Sequence, residues 1–546
     1  MNADEQLPPL DAIVIGAGFG GLRMLYQLLR EGKSVKVLEA GTDVGGTWYW
    51  NRYPGARTDS ESWAYCYQFS DELVDDWTWS ERLPGQEEVL RYLQHVADRF
   101  ELRQHIEFSS RVAFAHFDEQ AGVWTVETEG GERFRSRYLV SATGVLSVPK
   151  QPDFPGLESF KGEHYFAPQW PKDEVDLEGK RVAIIGSAAT AIQILPIAAH
   201  AAEHVYYFQR TPNYVLPGRN YSIHSAQGKA FKKRRGELFD QRRSHAFGLP
   251  MTMSGRTYDS VGDEERERIF EAGWEDGGFH FCFDTFDDIM TDQRSNDAAA
   301  DFVRRKIRAI VKDPETARKL TPNYTFFAKR PPSGHFYYET FNRPNVTLVD
   351  VQADPIQRVT ATGIQTGDEH FEVDVIIFAI GFDAGTGPLM SIDLRGRDGA
   401  SIRKKWEHGP ETYMGLMASG FPNMFMIMGP QSAFGNIPTI IESEVDWISK
   451  VMARADAEDA LAEPTPEAEA SWNAQLEMIY NATLLPAGVA VKTWFLGANV
   501  EGKPISVMFF FGGVSAFLDA IHEVADNGMP GIEFRTAARE GNLADA

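Results

Sequence analysis

The sequence predicts an α/β protein of two doubly wound, Rossmann-like domains, with a helical insertion in the second. Three observations predict it. A strand, a glycine-rich turn, a helix and another strand fill residues 11–39; the same order returns with its leading glycine 170 residues later; and strand signals vanish between Ser222 and Lys319.

The first unit runs Asp11 to Ile15 as a strand, Gly16 to Gly21 as a turn, a Leu-rich helix to Arg30, and Ser34 to Glu39 as the second strand. Ile106 to Val112, Gly122 to Thr128 and Tyr138 to Ser141 read as further short strands. The proline-bearing stretch Val148-Pro-Lys-Gln-Pro152 after Gly144 marks a crossing between domains. The second unit is the strand Arg181 to Ile185, the turn Gly186 to Ala191, a helix through Ile194 and Ala198, and the strand His204 to Gln209. In the insertion, Ala299, Phe302, Val303, Ile307 and Ile310 share one helical face behind a Ser295 or Asn296 cap. Strands resume at Asn345 to Val349 and Val373 to Ile380, and the glycine turn Ala379 to Asp383 returns the chain to the first domain. The expected division is therefore 1–144 and 384–546 for one domain and 145–383 for the other. Beyond Arg454 the Ala/Glu-rich composition, with Pro464 and Pro466, predicts a surface helix pair joined by a turn.

A net charge of −24 over 546 residues argues against nucleic-acid or anionic-membrane partners. Cys66 and Cys282 stand alone, 216 residues apart, so a disulfide framework, a dithiol redox centre and a cysteine metal site are not expected. The acidic start Met1 to Glu5 is unlike a signal peptide, and no apolar run approaches a clean membrane span; a cytoplasmic enzyme binding no metal is expected. The basic run Lys232 to Arg235 with Arg242 and Arg243 reads as a solvated face.

Both glycine turns point to Rossmann-like dinucleotide sites. In the first, Gly16, Gly18 and Gly21 permit a tight turn, close approach of a pyrophosphate, and helix-strand packing, while Glu39, 23 residues after Gly16, can accept from ribose hydroxyls. The second turn keeps only Gly186 of the three glycines. Its partner strand ends Phe208-Gln209-Arg210-Thr211, without a carboxylate; Arg210 can instead bind a 2′-phosphate in two-pronged fashion, which favours NADPH over NADH. One acidic and one basic dinucleotide end suggest FAD with NADPH.

The chain resembles the type I Baeyer–Villiger monooxygenases. The resemblance rests on Gly45-Gly-Thr-Trp-Tyr-Trp-Asn-Arg-Tyr-Pro-Gly-Ala-Arg-Thr-Asp59, on Phe160-Lys-Gly162 with Trp170-Pro171, on Phe208 to Asn213, on Ala328-Lys-Arg-Pro331, and on Trp494 with Gly497-Ala-Asn499. Three positions depart from the pattern: Phe166 replaces the fingerprint histidine, with His164 two places early; Ala188 replaces the middle glycine; and Ile380 replaces a threonine. They bear on communication between the domains more than on the flavin site. Gly429 to Phe434 is similar to the family's substrate-facing loop, although an aromatic there also suits core packing.

The resemblance implies that Glu39, Thr47, Trp48, Tyr49, Trp50, Asp59, Tyr65 and Val112 line the FAD. It implies that Arg57, Thr58, Gly186, Ser187, Thr190, Arg210, Thr211, Lys329 and Trp494 contact NADP. It further implies oxygen insertion beside a ketone carbonyl, using O2, through a flavin C4a-peroxide. Arg330 is then the expected catalytic cation, because a permanently charged guanidinium can stabilise that anion, and Asp59 supplies its counter-charge. Two alternatives share the same motifs: a flavin-dependent N- or S-oxygenase, and an NADPH-flavin oxidase impaired in oxygenation.

Overall fold

The computed structural model describes residues 8–536. Its first sheet has eight strands. Seven follow the order Asp393–Arg395, Val112–Asp118, Val123–Thr128, Arg133–Ser141, Leu10–Ile15, Val35–Leu38, Ile106–Glu107, and Met424–Met426 lies against the distal end of Arg133–Ser141. The central strand Leu10–Ile15 pairs in parallel on both sides. Its last four residues are all buried, as an apolar run must be when elements cover both faces of a sheet. Helix Phe19–Arg30 covers one face through Leu22, Leu25 and Leu28.

The second sheet is wholly parallel, in the order Val346–Asp350, His204–Gln209, Arg181–Ile185, Val375–Phe378, Glu163–Phe166. The chain leaves the first sheet after Ser141 and returns to it at Asp393, and its two linkers run side by side. Lys150 N–H donates to Gly381 O at 3.0 Å, and Pro149 bridges Phe382. The insertion is helical from Ser225–Lys233 to Pro314–Leu320, around an aromatic core of Phe270, Trp274, Phe281 and Phe302.

Several local expectations are corrected. The expected strand Ile106 to Val112 is two strands, Ile106–Glu107 and Val112–Asp118, because Ser109 turns the chain at φ 58°. Ser109 and Ser110 N–H then donate to Gly41 O and Glu39 O, each at 2.8 Å, bending the segment around the glycine turn. Helix Gln293–Ile310 starts earlier than expected: Asp292 is its cap, accepting from Arg294 N–H. Ser295 and Asn296 lie inside the helix, where Asn296 donates to Ile289 O and Phe326 O.

Among the described residues after Arg454 there is no surface helix pair. Helix Ile437–Ala457 is a core element, and Ala460–Pro464 is a strand paired with Ile532–Thr536 before helix Pro466–Asn481 begins. The basic run is also not uniformly solvated. Arg242 is fully buried, donating to Thr439 Oγ1 at 2.9 Å and Cys66 O at 3.2 Å, while Lys233, Arg234 and Arg243 are exposed. Arg242 follows Leu238 by four places, so it shares the buried helical face.

Candidate active site

The carboxyl ends of both sheets open on one cavity of about 1460 Å³, lined by the two glycine turns, the linkers, the 45–60 loop, Lys329, Arg330 and Trp494. This is the crevice where doubly wound folds bind ligands, and it exceeds the roughly 300–1,000 Å³ of an ordinary one-ligand site.

In the first turn, Gly16 has φ +101°, and an added Cβ would stand 2.7 Å from Ala142 O. A Cβ at Gly18 would meet Gly46 Cα at 3.3 Å, so the two bare backbones form a narrow cradle. Gly21 sits behind that cradle, outside the cavity wall; a Cβ there would lie 1.8 Å from Gly16 O, which makes it the helix-strand packing glycine. Glu39 faces the cavity, nearly buried, and accepts from Ala17 N–H at 2.7 Å and Gly41 N–H at 2.6 Å. Burial pushes its carboxyl up, outweighing those bonds and a more distant Arg111. Each oxygen keeps a second lone pair for a hydroxyl donor.

The second turn accounts for the alanine at its middle position. Gly186 keeps φ +135°, with Ala379 O only 2.2 Å from a virtual Cβ. Ala188 instead has φ −100°, ψ −173°, which any residue adopts, so no glycine is demanded by its backbone. Ser187 Oγ donates to Thr211 O at 2.7 Å, tying the turn to the end of the next strand. Arg210 is exposed there, with Lys329 across the cavity wall. Burial, with the Arg210 charge added, pushes the Lys329 ammonium down to about 8. Lys150, also pushed down by burial and by Arg210, and Lys492 complete a cationic rim on the same cavity.

Between the turns, the Arg330 guanidinium is hydrogen-bonded to Asp59 Oδ2, and Ser333 N–H approaches Oδ1 at 3.3 Å. Tyr53-Pro-Gly55 docks this loop on helix Ala189–Ala201: Tyr53 OH donates to Gln193 Oε1 at 2.9 Å, and a Cβ at Gly55, φ +84°, would lie 2.5 Å from Gln193 O.

Thr47, Trp48, Trp50, Arg57, Thr58, Tyr65, Val112, Ser187, Thr190, Thr211 and Trp494 also line the cavity. Tyr49 does not. It occupies the helical turn Thr47–Trp50, where four successive side chains point around the axis and one must face away. Its hydroxyl meets Thr42 Oγ1 at 2.9 Å, and its ring lies near Arg52 and Lys172.

The sequence reading missed Lys150, which looked like linker, as well as Lys492 and Gln193. Phe434 both packs on Phe495 at 4.8 Å and lines the cavity. Phe166 lies outside the cavity wall, its ring 5.5 Å from Phe378, whereas Pro168 and Gln169 of the same segment face in.

Residues 13–229 match the family of pyridine nucleotide-disulphide oxidoreductases. The chain is 43% identical over 535 residues to a Baeyer-Villiger monooxygenase of Pseudooceanicola batsensis, covering 97% of each chain. It belongs to the Baeyer–Villiger monooxygenase family. A phenazine N-monooxygenase of Lysobacter antibioticus is also 43% identical, over 528 residues and 96% of each chain. The structure of cyclohexanone monooxygenase from Rhodococcus sp. Phi1 bound to NADP+ superposes with a TM-score of 0.94 at 41% identity, covering 97% of this chain and 100% of that one.

As a Baeyer–Villiger monooxygenase the chain is an FAD- and NADPH-dependent flavoprotein. Its residues fit both groups. The Gly18 to Gly46 cradle leaves bare backbone where a pyrophosphate needs close approach, and Lys329 is a largely buried ammonium facing Arg210 with no carboxylate within salt-bridge reach among the described residues. No described helix is long and apolar enough to cross a membrane, and no described group of three His, Cys, Asp or Glu could hold a metal ion.

Proposed function

We propose that this enzyme converts a small-molecule ketone, one O2 and one NADPH, with a proton, into an ester or lactone, NADP+ and water. The observation that carries the reading is the Arg330–Asp59 pair, set in the cavity between the two glycine turns. Bound FAD would accept two electrons from NADPH and activate O2. The residues of the chain do the rest. Gly16, Gly18 and Glu39 hold the FAD side, with Thr47, Trp48, Trp50, Tyr65 and Val112 along it; Gly186, Ser187, Thr190, Thr211, Arg57, Thr58 and Trp494 hold NADP, whose 2′-phosphate Arg210 and Lys329 neutralise. Asp59 fixes one amino group of Arg330 and leaves the rest of the fork free for negative charge developing on the transferred oxygen. The functional units are 1–144 with 384–546 around FAD, and 145–383 around NADP. A cytoplasmic setting fits two free, buried cysteines.

A second reading is N-oxygenation of an aromatic heterocycle, favoured by the equal identity to the phenazine N-monooxygenase. Incubating the holoenzyme with NADPH and, separately, acetone, cyclohexanone, a phenyl ketone and a phenazine decides between them. Ester or lactone from a ketone supports the first reading; an N-oxide with no ketone conversion overturns it.

A further inference from the structure

Asp59 does not stand alone in its segment. Two residues on, Glu61 is almost fully buried and accepts from Arg82 at 3.0 Å and from His280 Nε2 at 3.1 Å. The other ring nitrogen of His280 is bonded to Asp284. An imidazole with a carboxylate at each nitrogen satisfies both only by donating from both, so this geometry calls for the imidazolium. Arg82 reaches onward to Asp276 O at 2.6 Å, at the end of helix Asp263–Asp276. Glu61 and Arg82 thus join the flavin-side loop to the insertion through charged bonds.

The junction adjoins the catalytic pair. Phe279, beside His280, lines the cavity and places its ring 6.0 Å from the Arg330 guanidinium carbon. Gly278, at φ +58°, lies beside the same loop: a Cβ there would stand in ordinary contact, 3.9 Å from Asp59 O and from Ser333 Oγ. The turn that carries Phe279 and the loop that carries Asp59 therefore form two sides of one socket around Arg330, and the contact between His280 and Glu61 closes it from behind.

We propose that His280 and Glu61 are a positioning pair for oxygenation, locking the Asp59 loop to the Phe279 wall so that Arg330 is held in place. The inference rests on the reading of Arg330 given above. His280 never meets the reacting atoms; it acts through Glu61 and Asp59. The charged and titratable groups around it are Glu61 and Arg82 from the 59–82 segment, Asp284 from its own helix, and His245 at the end of helix Arg235–Ser244. Burial alone would push the His280 imidazole down, but the bonds to Asp284 and Glu61 outweigh it and hold the ring protonated up to about 9. Burial would raise Glu61, and His280 and Arg82 hold it at about 2 instead. His245 is pushed down by burial to about 4 and stays neutral. The lock is closed at neutral pH and opens as pH rises through the His280 value.

The test uses the FAD-loaded enzyme at saturating NADPH with cyclohexanone, reading ester formed against H2O2 released by unproductive reduction of O2. The wild-type ratio should hold at neutral pH and fall above about 9, following the His280 value. His280→Gln should lower the ratio about tenfold at neutral pH and abolish the alkaline fall. Asp284→Asn removes one anionic partner and should move the fall about one pH unit toward neutrality. Melting temperature gives a second readout, independent of turnover. Because the folded value lies above that of a free imidazole, the gap between wild type and His280→Gln should be full at pH 6 and close as pH rises through about 9. An unchanged ratio and pH profile in both variants, with ester still formed by wild type, overturns the inference alone. NADPH oxidation without ester from wild type overturns the reading of Arg330 and takes the inference with it.

Discussion

Replacing Arg330 with Ala separates two consequences that the structure allows to be weighed. The side chains of Arg330 and Asp59 are 24% and 10% exposed, so the pair is screened less than a surface bridge. Without the guanidinium, Asp59 retains, among the described residues, Ser333 N–H alone, at 3.3 Å. Leaving such a carboxylate unpaired costs about 1–3 kcal/mol, which should lower the melting temperature by a few degrees. Oxygenation should fall further, by about a hundredfold, the loss that follows removal of a preorganised donor from a developing anion. Hydride transfer does not require that anion, so NADPH consumption should continue with O2 diverted to H2O2. The assay follows NADPH absorbance, ester by gas chromatography and peroxide in the same vessel. Adding Asp59→Asn to Arg330→Ala should restore the melting temperature and leave ester formation low, because it removes the orphaned charge without replacing the cation. Arg330→Lys keeps charge without the fork and should rescue weakly. An unchanged ester yield per NADPH in Arg330→Ala would refute the assignment and make Lys329 the next cation to examine.

Arg210→Ala should raise the KM for NADPH roughly ten- to a hundredfold and barely move that for NADH, because about 1.5–3 kcal/mol of charge-assisted bonding to a 2′-phosphate is lost; equal effects on both cofactors would contradict it. Lys329, pushed down to about 8, loses its charge above that value, so NADPH affinity should weaken as pH passes 8, and Lys329→Arg should flatten the profile in a binding titration. Phe166→His should lower the melting temperature, because the ring belongs to the apolar packing around Phe378 rather than the cavity wall, and leave ester per NADPH unchanged; a rise in that ratio would return Phe166 to the coupling between domains. Glu444 is fully buried beneath the Gly429–Phe434 loop, bonded to Ser432 and to Met428 N–H, and burial pushes its carboxyl up to about 8. The unfolded chain binds fewer protons than the folded one above about pH 4.5, so this group takes stability away as pH rises to about 8; Glu444→Gln should raise the melting temperature at pH 8 and little at pH 5.

Both nucleotide-binding halves are legible in the order of residues, because what they require is local. A strand ending in Gly16 or Gly186 must turn with positive φ, and the residue closing the next strand, Glu39 or Gln209 with Arg210, is placed by the length of one helix and one strand. Arg330 and Asp59 were legible as a pair through the family motifs alone; 271 residues separate them, and no periodicity connects the two. What depends on neighbours distant in sequence emerges only in the folded chain. Gly18 is bare because Gly46 approaches it, whereas Ala188 is tolerated because its backbone needs no glycine. Arg242 is buried because Thr439 and the Cys66 carbonyl receive it, although its run of basic residues reads as a surface. Tyr49 sits within a binding motif yet faces away, because a helical turn cannot aim four successive side chains at one cavity. Glu61, Arg82 and His280 carry no motif in common. They meet only because the insertion folds back on the 59–82 segment, where burial makes each charge depend on the others.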